Sequence, residues 1–225
     1  MQVKTCIFSI IGKARGTNQD AVMVKVAETK NHGKISFAAA CDGWSEQSGG
    51  ELASAKALRA LERWFGEELP MMIDFQEDKL FETSAITLAR LLPSTEKDIK
   101  RYARHNKCEL DTTISAVMQI GSRYMTINKG DSRIYVIDDK GSRAVTGDES
   151  ELSFSMGTLS SDATILAATG GFYRKLSEDE IAGSLSPDKC ASRETMISGC
   201  RRLADKALSR KEKENISVAA MCLEY

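Results

Sequence analysis

The hydrophobic period changes along this chain in a fixed order: strands, two helices, strands, two helices, then one strand. That order constrains the fold more than any other feature. Strand patterns open at Val3 to Ile11, at Ala21 to Ala27 and at Ile35 to Cys41. The third, ISFAAAC, carries no charge and is expected to be buried on both faces. Ala53, Ala57, Leu61 and Trp64 then recur at helical spacing, up to Pro70. Residues 76 to 104 give a second helical stretch, with a break expected at Pro93. Thr112 to Ile120, Tyr124 to Asn128 and Arg133 to Ile137 return to strand, and residues 146 to 161 are polar and loop-like. Thr164 to Ala168 is a short strand. Ser177 with Glu180 forms a capping box, a helix covers about Asp188 to Leu208, and Ile216 to Leu223 closes the chain. Long alternating strand–helix–strand units are missing, so a doubly wound parallel sheet is disfavoured and antiparallel sheets flanked by helices are expected. No repeat or linker divides residues 1–225, which read as a single domain.

Charge and cysteine usage narrow the function. With 31 Lys and Arg against 32 Asp and Glu, the net charge is -1, unlike a general nucleic-acid binder. No apolar run reaches the roughly 18 residues of a membrane span, and residues 1 to 12 lack the layout of a signal peptide. None of the 6 cysteines falls at metal-finger spacing. Reduced, buried thiols and a cytoplasmic location are therefore expected. With only 2 histidines and no nucleophile elbow or P-loop, chemistry must rest on carboxylates.

Four acidic residues stand where apolar strands begin or stop: Asp20, Asp42, Asp131 and Glu214. Any one such residue is ordinarily a turn former or a cap. Four together point to a carboxylate cluster, whose mutual repulsion a hard divalent cation would relieve. The same residues sit in recognisable motifs. Arg15-Gly16-Thr17-Asn18-Gln19-Asp20 has the form R-x-x-N-E-D, with Gln19 in place of the acid. Asp42-Gly43 is followed at fixed spacing by Gly50-Glu51 and Ala53-Ser54. Asp111-Thr112-Thr113 precedes Gly130-Asp131-Ser132-Arg133, and Glu214-Asn215 stands before the last strand.

In these motifs the chain resembles the metal-dependent protein phosphatases of the PPM, or type 2C, family. The resemblance implies an α+β fold in four layers (α-β-β-α): a central β-sandwich of two antiparallel sheets with helices on both sides. It implies Mg²⁺ or Mn²⁺ as cofactor. Asp42 would bridge two metals, the Gly43 carbonyl would bind one of them, Asp20 would hold metal-bound waters, and Asp131 would serve a weaker metal. Glu214 would stand in for an aspartate ligand, and Arg15 would grip the substrate phosphate. The expected activity is hydrolysis of phosphoserine and phosphothreonine, with a phosphorylated protein or a protein kinase as partner. Gly170 falls where the family carries a further metal-binding aspartate, and Ser45-Glu46-Gln47 replaces a glycine-rich stretch. A slow phosphatase or a pseudophosphatase that binds without catalysis are the two expectations.

Overall fold

The computed structural model describes residues 1–14, 16–46 and 49–225. Strand β1 (Gln2–Ile10) leads into β2 (Asp20–Thr29) and β3 (Gly33–Trp44), followed by helices α1 (Gly50–Arg63) and α2 (Glu77–His105). Next come β4 (Asp111–Thr112), β5 (Ile114–Ile120), β6 (Arg123–Gly130), β7 (Arg133–Asp138), β8 (Gly141–Ala144), β9 (Glu149–Thr158) and β10 (Ala163–Ala168). The one-turn helix α3 (Gly170–Tyr173), α4 (Glu178–Leu185), α5 (Arg193–Ser209) and β11 (Ile216–Glu224) complete the chain. One sheet has the order β1-β11-β10-β7-β8 and the other β2-β3-β5-β6-β9, with every pairing antiparallel.

The period of two sorts the strand side chains into layers. Ile35, Phe37, Ala39 and Cys41 of β3 face Ala57 and Leu61 of α1 and Leu80, Leu88 and Leu92 of α2. The alternate residues, Ala38 and Ala40, face inward with Val117 to meet Ile165, Ala167, Ala219 and Met221 of the other sheet. On the far side, Leu166, Val218 and Ala220 bury against Ile181, Leu185, Met196 and Leu203 of the C-terminal helices. The result is the expected four-layer α-β-β-α arrangement. Small alanines, Ala38, Ala40 and Ala219 among them, line the interface between the two sheets. All six cysteines are free, and among the described residues no helix is long and apolar enough to cross a membrane.

Three local expectations are corrected. Helix α2 runs unbroken through Pro93. Pro93 and Ala89, whose carbonyl loses its partner, both lie on the exposed face, where water can take over that bond. The polar stretch after Thr146 contains β9, the edge of the six-stranded sheet. Its outward residues meet solvent, so its sequence looks like a loop. Helix α5 begins at Arg193, behind a short 3₁₀ turn at Pro187–Lys189. A capping box of Ser192 and Thr195 sets that start.

Candidate metal and phosphate site

The β2–β3 register places Asp20 directly opposite Asp42, at the end of the ladder away from the turn. Gly43 follows, and a side chain there could not fit: a Cβ would lie 1.9 Å from the Gly50 carbonyl oxygen. The start of α1 therefore presses on the main chain just beyond Asp42. Gln19 joins the motif segments. Its carbonyl accepts from Gly43 N at 3.0 Å and from Ser54 Oγ at 2.6 Å, and its N–H donates to Asn215 Oδ1 at 3.0 Å. Gln19 is buried, with its side-chain amide against Gly50. Its neutrality thus suits a joint between segments. The spacings of Gly-Glu, Ala-Ser and Glu-Asn reflect these contacts.

The Thr-Thr and Gly-Asp-Ser-Arg motifs fix Asp42 from the other side. Asp42 N donates to Thr113 Oγ1 at 2.9 Å, and Thr113 N donates to the Asp42 carbonyl at 2.9 Å. Thr113 Oγ1 also shares a 2.6 Å hydrogen bond with Ser132 Oγ. Gly130 has φ +88°, and a Cβ on it would lie 2.7 Å from Thr113 Cγ2, so only glycine suits this turn. Beyond it, the Asp131 carbonyl accepts from Tyr173 Oη at 2.6 Å.

These segments surround a cleft of about 480 Å³ at the end of the sandwich, lined by Asp42, Trp44, Lys129, Asp131, Arg174 and Glu214 among others. Asp20 stands beside Asp42. Its Oδ2 accepts from Thr169 Oγ1 at 2.9 Å, while its Oδ1 is buried with no hydrogen-bond partner. Burial pushes the Asp42 carboxyl up to about 8, helped by the charges of Asp20, Glu214 and Asp131. Burial also raises Asp20, against hydrogen bonds that pull it down, Thr169's among them. Asp131 and Glu214 are bridged by Arg174, whose Nη2 donates to Asp131 Oδ2 and Nη1 to Glu214 Oε2. Burial works to lower the Arg174 pKa, and these two carboxylates more than reverse it. Arg15 and its phosphate-gripping role lie outside the described residues, as do Gln47 and Ser48.

Thr169 and Arg174 had escaped the sequence reading. Thr169 carried a signal, because it directly precedes Gly170 at a buried strand end. Arg174 carried none, since an arginine at the end of a single helical turn is ordinarily solvated. It explains where the Gly170 position leads: a Cβ on Gly170 would lie 2.5 Å from Arg174 Cζ. The guanidinium occupies the room an acidic side chain at residue 170 would need.

A hard divalent cation fits part of this site. The facing Asp20 and Asp42 carboxylates, one oxygen buried and unpartnered, are the donor chemistry that Mg²⁺ or Mn²⁺ takes. Asp131 and Glu214 are committed to Arg174. Among the described residues no set of three or more acidic, histidine or cysteine side chains is arranged to hold a metal. The donors thus suit one cation at Asp42 more readily than two.

Comparison with solved structures gives the fold. A serine/threonine phosphatase of S. agalactiae superposes with a TM-score of 0.80 at 19% identity, covering 99% of this chain and 100% of that one. The catalytic domain of the phosphatase PstP, solved with two manganese ions, gives 0.75 at 18% identity, covering 99% of each chain. PppA, a regulatory component of the type VI secretion system of Pseudomonas aeruginosa, gives 0.76 at 15%, also over 99% of each. No protein-family model and no curated protein matches the sequence. At these identities the likeness establishes the fold, which is that of the metal-dependent, type 2C serine/threonine phosphatases.

Proposed function

We propose that this chain is a slow metal-dependent phosphatase acting on phosphoserine and phosphothreonine in proteins, in the cytoplasm. The observation that carries the reading is the facing, half-buried Asp20–Asp42 pair, with Asp42 in the wall of the cleft and one buried Asp20 oxygen left without a hydrogen-bond partner. Asp42, the Gly43 carbonyl and Asp20 would hold Mn²⁺ or Mg²⁺. When bound, such a cation acidifies a coordinated water and offsets charge on the phosphoryl oxygens.

The chain's own residues do the positioning. Thr113 and Ser132 pin the main chain at Asp42, and Thr169 orients Asp20 so that one of its oxygens stays free. Trp44, half-exposed at the rim, offers a flat apolar wall to the peptide that carries the phosphate. Arg15 would bind the phosphate itself. The six free thiols favour a reducing compartment.

The test is hydrolysis of a phosphothreonine peptide and an aryl phosphate at millimolar Mn²⁺. Slow turnover is expected, with Asp42→Asn lowering it by about 100-fold or more, as for loss of a group that orders the reacting charge. One feature favours a second reading: Arg174 holds two of the four carboxylates. If no Mn²⁺ concentration supports turnover but the phosphopeptide still binds, the chain is a pseudophosphatase that recognises a phosphoprotein or a kinase.

A further inference from the structure

Arg174 lies four residues after Gly170, so its side chain rises over the same face of the turn. Its fork reaches two carboxylates from separate parts of the chain: Asp131, just after β6, and Glu214, just before β11. Both line the cleft that contains Asp42, and both act on the Asp42 carboxyl through their charge. The path of the guanidinium depends on Gly170, because a Cβ there would lie 2.5 Å from Cζ and 2.6 Å from Nη2. Glycine at 170 and arginine at 174 are therefore matched.

The cleft has one other described lysine or arginine in its wall, Lys129, which is drawn to Glu96 at 2.6 Å. Arg174 is thus the counter-ion held within the cluster itself. An arginine stays charged across the whole physiological pH range, so loss of its proton cannot release these carboxylates. Only movement of the side chain can.

The geometry points to Arg174 as a tethered cation that competes with divalent metal for Asp131 and Glu214. This rests on the metal-binding reading above and goes further. Metal uptake through these two carboxylates and departure of the guanidinium become one equilibrium. The apparent affinity for metal is weakened by the fraction of molecules in which Arg174 holds the pair. The bridge also fixes the spacing of the two loops, so the site is kept assembled without metal.

Calorimetric titration with Mn²⁺ tests this on the purified chain. Arg174→Gln keeps a polar end on a shorter stem and removes the charge, and it should bind Mn²⁺ at least about tenfold more tightly than the wild type. The gain should vanish when Asp131→Asn and Glu214→Gln are added together to Arg174→Gln, because the two freed carboxylates are its source. A folded Arg174→Gln chain with unchanged or weaker Mn²⁺ binding, or a gain that survives neutralising both Asp131 and Glu214, overturns the proposal. If Arg174→Gln does not fold, the wild type decides. Mg²⁺ titration followed at the Arg174 Nε–H signal by NMR should move that signal towards a solvent-exposed arginine, and an unmoved signal at saturation overturns the proposal. Parallel phosphatase assays separate the two readings. Tighter Mn²⁺ without turnover keeps the competition and removes the phosphatase, whereas turnover with unchanged Mn²⁺ affinity does the reverse.

Discussion

Asp42 carries its carboxyl directly after a buried run of strand, residues 35–41, and this shapes its titration. In the folded, metal-free chain the group is pushed up to about 8, against 3.8 for an ordinary aspartate. Between these values the folded state holds a proton that the unfolded chain has lost. Stability is then greatest on the acid side, falls as pH rises through the window, and levels off above it. The loss is on the order of 6 kcal/mol at most, since each of the roughly four pH units in that window corresponds to about 1.4 kcal/mol. Thermal melts in chelator should show Tm declining from about pH 5 to about pH 8.5, and Asp42→Asn should flatten most of that decline. An equal decline in the variant would assign it to other groups. At this scale the acids were readable in the sequence, because a carboxylate at the end of an apolar strand breaks a strong pattern. Arg174 was not, because what makes it unusual is its two distant partners.

Elements were legible where burial enforced a period and obscure where solvent relaxed it. The central strands β3, β5, β10 and β11 are almost wholly buried, so their β-branched and small apolar residues mark them clearly. Edge strand β9 has one ladder partner and several exposed side chains, and nothing in its composition separates it from a loop. Pro93 misled in the opposite direction, because a local rule was outweighed by the apolar stripe of α2. Leu80, Leu88, Leu92 and Ile99 bury along that helix and hold it continuous across the missing hydrogen bond. The bond is still lost, so Pro93→Ala should restore it and raise stability by about 1 kcal/mol or more, read from the urea midpoint. A lower midpoint would mean that the missing hydrogen bond at Pro93 is needed for α2 to follow the sheet.

On the scale of the whole molecule, two sheets and two helical layers hold a site built from ends of strands. The resemblance to a known family implied the layers, and the motif spacings that carry it coincide with contacts between segments, such as those meeting at Gln19. The β2–β3 ladder adds a consequence of its own. It runs from Thr29 opposite Gly33, beside the turn, to Asp20 opposite Asp42. A hairpin of this kind closes like a zip from its turn, and here the last teeth to meet are two carboxyl groups that resist both being ionised. The acidic end is thus the loose end of the fastening, and a cation bound there would act as its clasp. Amide exchange at residues 20–22 should slow on adding Mn²⁺, while exchange near the turn stays the same. The chain would then register a metal ion mechanically, in how firmly one strand is fastened, before any phosphate arrives.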